Sequence, residues 1–126
     1  MVSRIAQWTL DVQDVEVMAR FWSAALGYRV VPDAGGRSAH LHPPEDADPA
    51  DPRDLTVWLQ ACAGPKTGKN RNHPDLACQG DAEAEADRLV ALGAKRIDIG
   101  QPDDTGFVVL ADPEGNEFCI LRERAW

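Results

Sequence analysis

Asp112-Pro113-Glu114-Gly115-Asn116-Glu117-Phe118-Cys119-Ile120-Leu121 reads as a tight turn feeding a strand. Pro113 presets φ to open the turn, and Gly115 and Asn116 tolerate the positive φ that closes it. From 117 to 121 the side chains alternate. Phe118 and Ile120 point one way; Glu117 and Cys119 point the other. One face suits a hydrophobic core. The other presents a carboxylate and a thiol, which are either solvated or part of a site.

Working outward from this strand, residues 107–111 read as its neighbour and 101–105 as a turn. Residues 95–99 and 73–78 read as extended. Residues 82–92 carry Ala82, Ala86, Leu89 and Val90 on one helical face, with Asp81 as the N-cap and Gly93 as the stop. The segment 64–72 contains Gly64, Pro65 and Gly68 with Lys66, Lys69 and Arg71, and reads as a linker.

Before the linker the same order appears. Residues 5–12 alternate as a strand, with Trp8, Leu10 and Val12 opposite Gln7, Thr9 and Asp11. Asp14 caps a helix over 15–26 that Gly27 ends. Residues 28–31 are extended, 32–36 turn, and 38–42 form a strand with His40 and His42 on one side. Residues 43–53 form an acidic, Pro-rich loop, and 55–62 close the set with Thr56, Trp58 and Gln60 on one face. Each half reads β-α-β-β-β, which predicts an internal duplication. The fold class is α+β, a single domain over 1–126 with modules over about 3–63 and 70–124 and a linker at 64–69.

Composition limits the function. The 126 residues suffice for one domain with a core, and 44% hydrophobic with 27% charged residues is ordinary for a folded protein. A net charge of -8 argues against nucleic acid or an anionic membrane as partner. No apolar run approaches the ~20 residues that span a bilayer, and the N-terminus lacks the layout of a signal peptide. Cys62, Cys78 and Cys119 are odd in number and contain no CxxC, so they read as reduced thiols of a cytoplasmic protein.

Helices packed on one sheet face leave the other face to curve into a cup. Gln7, Thr9, Thr56, Trp58, Gln60, His73, Asp75, Glu117 and Cys119 fall on that second set of faces. Polar, coordinating and aromatic groups from four strands therefore collect together. His40 and His42 could bind metal, but an exposed sheet edge is the plainer reading.

Phe21-Trp22-Ser23-Ala24-Ala25-Leu26-Gly27-Tyr28, Lys69-Asn70-Arg71-Asn72-His73-Pro74-Asp75-Leu76, Leu92-Gly93-Ala94 and Asp112-Pro113-Glu114-Gly115-Asn116-Glu117-Phe118 together resemble the glyoxalase/bleomycin-resistance superfamily, also called vicinal oxygen chelate. The likeness covers nearly the whole chain and is greatest to small bacterial glyoxalase-like domain proteins. It implies two βαβββ modules forming a curved mixed sheet around a cup, commonly paired between chains as a homodimer. Enzymes of the superfamily hold a divalent metal with four strand residues and act as lyases, isomerases or dioxygenases. Other members bind drugs without metal.

The resemblance places the metal positions at Gln7, Gln60, His73 and Cys119. The usual final ligand is a glutamate, and Glu117 lies two residues early, roughly 7 Å along the strand. Two amides and a thiol are poor ligands for Mg, Mn or Ni. The expectation is thus a small-molecule-binding cup without the complete metal site, the alternative being a metal-dependent enzyme with candidates Gln7, Gln60, His73 and Glu117. Glu117 and His73 are the catalytic candidates, Glu117 as general base or acceptor. Gln7, Trp58, Gln60, Arg71, Asp75 and Cys119 are the ligand-binding candidates. Trp58 would stack on a flat ligand, and Arg71 would fork a carboxylate. The plainer alternatives are a His73 that only anchors the linker, a Glu117 held by Arg71, and a Cys119 that only packs.

Overall fold

Two helices begin and end where short-range chemistry dictates. In a computed structural model that describes residues 1–48, 51, 55–62, 64–102 and 105–123, α1 runs Val15–Leu26 and α2 runs Ala82–Leu92. The Asp14 carboxylate accepts from the Val17 N–H at 3.0 Å. Asp81 accepts from Glu83 and Ala84, both at 3.3 Å. Both contacts satisfy N–H groups that a helix start leaves open. Gly27 ends α1 at φ 70, a left-handed conformation that a Cβ would strain.

The strands are β1 (Gln7–Val12), β2 (Arg29–Pro32), β3 (Ser38–His42), β4 (Thr56–Ala61), β5 (Asp75–Leu76), β6 (Lys95–Arg96), β7 (Phe107–Ala111) and β8 (Glu117–Leu121). The chain divides into two compact units, Met1–Pro65 and Lys66–Trp126. Each is a βαβββ module with one four-stranded mixed sheet. The strand orders are β1-β4-β3-β2 and β5-β8-β7-β6. The outer pairs β1/β4 and β5/β8 are parallel, and the remaining pairs are antiparallel. The duplicated element order is therefore a duplicated topology.

In the first unit Val12, Met18, Phe21, Trp22, Leu41, Val57 and Leu59 are buried. Trp22 meets Trp8 and Phe21 edge-on, with ring centroids 5.0 and 5.1 Å away, the arrangement that aromatic quadrupoles favour. In the second unit Leu89, Leu110, Phe118 and Ile120 are fully buried. Asp112 is also buried, because the turn it opens consumes its carboxylate. Its Oδ1 accepts the N–H groups of Glu114 and Asn116 at 3.0 and 2.9 Å. The Asn116 side-chain amide reaches both carboxylate oxygens.

Three expectations need correction. The extended runs at 73–78 and 95–99 shrink to two-residue strands. Pro74 has no N–H to donate, although its carbonyl accepts from Cys119 at 3.1 Å. After β6, the Asp98 and Gln101 side chains accept the Gly100 and Ile99 N–H groups, so a turn replaces the ladder. Finally, β3 lies between β2 and β4, so His40 and His42 stand on an interior strand and not an edge. The loop expected over 43–53 and the turn over 101–105 lie partly outside the described residues.

Candidate functional site

In the first unit, alternation puts Gln7, Thr9 and Asp11 on the same sheet face as Thr56, Trp58 and Gln60, because β1 and β4 pair Gln7 with Thr56, Thr9 with Trp58 and Asp11 with Gln60. The Thr56 hydroxyl donates to the Gln7 side-chain carbonyl at 3.0 Å. The Gln60 amide donates to Asp11 at 2.9 Å. These cross-strand bonds tie both glutamine side chains to the neighbouring strand.

β3 supplies a group that the expected cup-facing set did not include. His40 pairs with Trp58 in the β3/β4 register. The rings stack with planes 3° apart and centroids 5.5 Å apart, and the His42 ring lies 6.0 Å beyond. Asp33, at the end of the β2–β3 hairpin, accepts from His40 Nδ1 at 3.2 Å and from the Ser38 hydroxyl. The Ser38 hydrogen bond, with His40 beside it, holds the Asp33 carboxyl below the usual range. The Trp58 N–H is buried and has no well-formed hydrogen bond among the described residues, although it adds to the lowering of the Asp33 carboxyl. Asp33 and His40 were the residues to add. The signal for His40 was present in the alternation of Ser38, His40 and His42 against Ala39 and Leu41. Asp33 had none, because its partner depends on the hairpin.

The second unit groups His73, Asp75 and Cys119. Parallel register sets Asp75 beside Cys119. His73 Nε2 lies 3.2 Å from an Asp75 oxygen. One donor atom from each of the three residues falls within 4.8 Å of the others. Burial pushes the Cys119 thiol up to about 11, and the Asp75 carboxylate adds to the effect. Glu117, two residues earlier, is otherwise engaged. Its Oε2 accepts the Asn70 N–H at 2.8 Å, and Lys66 Nζ is 3.9 Å from Oε1. The cation beside Glu117 is thus Lys66 and not Arg71. Arg71 is exposed and has no ion-pair partner among the described residues.

These observations bear on the donor positions that the resemblance implies. Gln7 spends its carbonyl on Thr56, and Gln60 spends its amide on Asp11. Two amides engaged in this way are poor ligands for a hard divalent ion. His73, Asp75 and Cys119 form a mixed N, O and S set, which suits a borderline ion such as Zn²⁺.

A cavity of about 330 Å³ in the second unit is lined by Arg96, Gln101, Thr105, Phe107 and Arg122. Glu83 bonds both arginines at 2.8 Å, and Asp87 bonds Arg96 at 2.9 Å. The guanidinium charges are spent there, which makes the cavity a poor anion site.

A family model described as "Glyoxalase-like domain" matches residues 7–121. The structure is similar to the fosfomycin resistance protein FosX from Mesorhizobium loti, at 19% identity and TM-score 0.71, covering 99% of this chain and 96% of that one. It is similar to a glyoxalase/bleomycin resistance protein from Albidiferax ferrireducens, at 21% identity and TM-score 0.65, covering 95% and 98%. A mutant FosX from Listeria monocytogenes, complexed with Mn(II) and a dihydroxypropylphosphonic acid, matches at 16% identity and TM-score 0.69, covering 99% and 94%. Comparison with curated proteins yields no significant sequence match.

Proposed function

The chain belongs to the glyoxalase-like domain family of the vicinal oxygen chelate superfamily, and from that premise we propose that it is a small-molecule-binding protein without the family's usual metal centre. One observation carries this reading: the stacked His40 and Trp58 rings on a polar sheet face. Aromatic floors of this kind hold flat ligands, and the fixed amides beside them supply orientation. Gln7, Trp58 and Gln60 form the ligand face of the first unit. Arg71, Asp75 and Cys119 serve as ligand contacts of the second. The net charge of -8 and the lack of a helix able to cross a membrane among the described residues support a small molecule as the partner. The family's habit of pairing modules between chains supports a homodimer, and the unpaired thiols support a cytoplasmic setting.

The test is titration with flat aromatic compounds, followed by tryptophan fluorescence in the native protein and in Trp58→Phe. Saturable quenching that the variant loses supports the reading. Quenching that survives in the variant sinks it.

A second reading, a metal-dependent lyase, isomerase or dioxygenase-like enzyme, is favoured by the convergence of His73, Asp75 and Cys119. Here His73 would hold the ion, which would polarise a substrate oxygen, and Glu117 would act as base once released from Asn70. Elemental analysis of protein purified without chelator or His tag decides between the two. Near-stoichiometric metal that His73→Ala loses establishes the second reading, and metal-free protein removes it.

A further inference from the structure

Asp33 and His40 constrain what the first-unit face can bind. An ionised carboxylate accepts hydrogen bonds and cannot donate them. Asp33 is held below the usual carboxylate range, so it is ionised at neutral pH. The contact of 3.2 Å between its Oδ1 and His40 Nδ1 therefore places the imidazole proton on Nδ1. In neutral His40 the other nitrogen, Nε2, is then a lone-pair acceptor. It has no partner among the described residues, and the side chain is 32% exposed. An acceptor of fixed tautomer therefore lies in the plane of a ring that is parallel to Trp58.

The charges on the face narrow the ligand further. Asp33 and Asp11 place two carboxylates there, which repel an anion. Arg29 on β2 keeps its positive charge, but its Nε is turned to the Pro43 carbonyl at 3.3 Å and the two carboxylates outweigh it. A neutral ligand with a hydrogen to donate suits this environment better than a carboxylate or a phosphonate.

We propose that Asp33, His40 and Trp58 form a recognition element for a planar ligand bearing a hydroxyl group of the phenol or enol type. The ring stacks on Trp58 beside His40, in the plane of the imidazole, and the O–H donates edge-on to His40 Nε2. Asp33 is a positioning residue that sets the tautomer. This inference rests on the reading that the first-unit face binds a flat small molecule, and it names the class.

The probes are a naphthol and its methyl ether, titrated calorimetrically. They share a ring system and differ in the donor. The native protein should bind the naphthol about tenfold more tightly, the weight of one well-placed hydrogen bond. His40→Phe keeps a ring beside Trp58 and removes the acceptor, so it should bind both probes alike. Imidazole ¹⁵N shifts should show the Nδ1–H tautomer in the native protein and a shift away from it in Asp33→Ala.

Equal affinity of the native protein for both probes, or preference retained in His40→Phe, would overturn the proposal and leave the binding face standing. A native Nε2–H tautomer would also overturn it. Binding of neither probe would overturn both the proposal and the reading beneath it.

Discussion

The carboxylate of Glu117 on the final strand accepts the backbone N–H of Asn70 at 2.8 Å, across 47 residues of sequence. The Glu117 side chain is 14% exposed, so the bond is shielded from water. It ties the segment that begins the second unit to the strand that ends it. Glu117→Ala should free that N–H at a cost of about 1–3 kcal/mol, whereas Glu117→Gln retains an acceptor and should cost less. Amide hydrogen exchange at Asn70 checks this. Protection that persists in Glu117→Ala would show that the clamp does not operate in solution.

Asp112 should be among the most sensitive polar residues in the chain. It is 2% exposed, and its carboxylate satisfies two backbone N–H groups and the Asn116 amide. Asp112→Ala would leave part-buried donors unpaired, at a cost of up to about 1–3 kcal/mol for each. Asp112→Asn keeps one oxygen and should fall between it and the native protein. Urea midpoints of the three proteins, measured together, should follow that order.

Thiol labelling should separate the three cysteines. Cys62 is exposed, Cys78 partly exposed and Cys119 buried. With its pKa pushed up to about 11, Cys119 holds roughly a thousandth of its population as thiolate near pH 8. A disulfide reagent should label Cys62 first and Cys119 last. Asp75→Asn removes the charge that opposes the thiolate, so the Cys119 pKa should fall and its labelling quicken. Unchanged kinetics in that variant would mean that burial alone protects the thiol.

Acid should weaken the first unit through Asp33. Its folded pKa lies below the ordinary value of 3.8, chiefly because Ser38 donates to it. The folded state thus favours the ionised form. The associated stability is complete above the unfolded carboxylate pKa and is lost as pH falls through the lower folded value. Native protein should lose more stability than Asp33→Asn between neutral pH and about pH 3. Identical acid profiles would show that Asp33 contributes nothing to the titration.

Local order was legible to a useful degree. The apolar spacing of Met18, Ala19 and Trp22, bounded by Asp14 and Gly27, is enough to delimit α1, because caps and helical periodicity act within a few residues. The alternation of Glu117 and Cys119 against Phe118 and Ile120 is likewise a local property of an extended chain. Strand ends were less legible at β5 and β6, because neighbouring ladders and side-chain competitors terminate them.

The amino-acid order by itself determined the two βαβββ modules, the core faces of β1, β3, β4 and β8, and the acidic character of the chain. Each follows from periodicity, turn chemistry or composition, and none needs a distant partner. Only the tertiary structure decided that β3 is interior, that Asp33 orients His40, that Trp58 stacks on that ring, and that Glu117 clasps Asn70 while Asp75 stands beside Cys119. Alternation says which way a side chain points from its own strand. Which groups it then meets depends on strand order and register, and those are set by pairing between segments far apart in the chain.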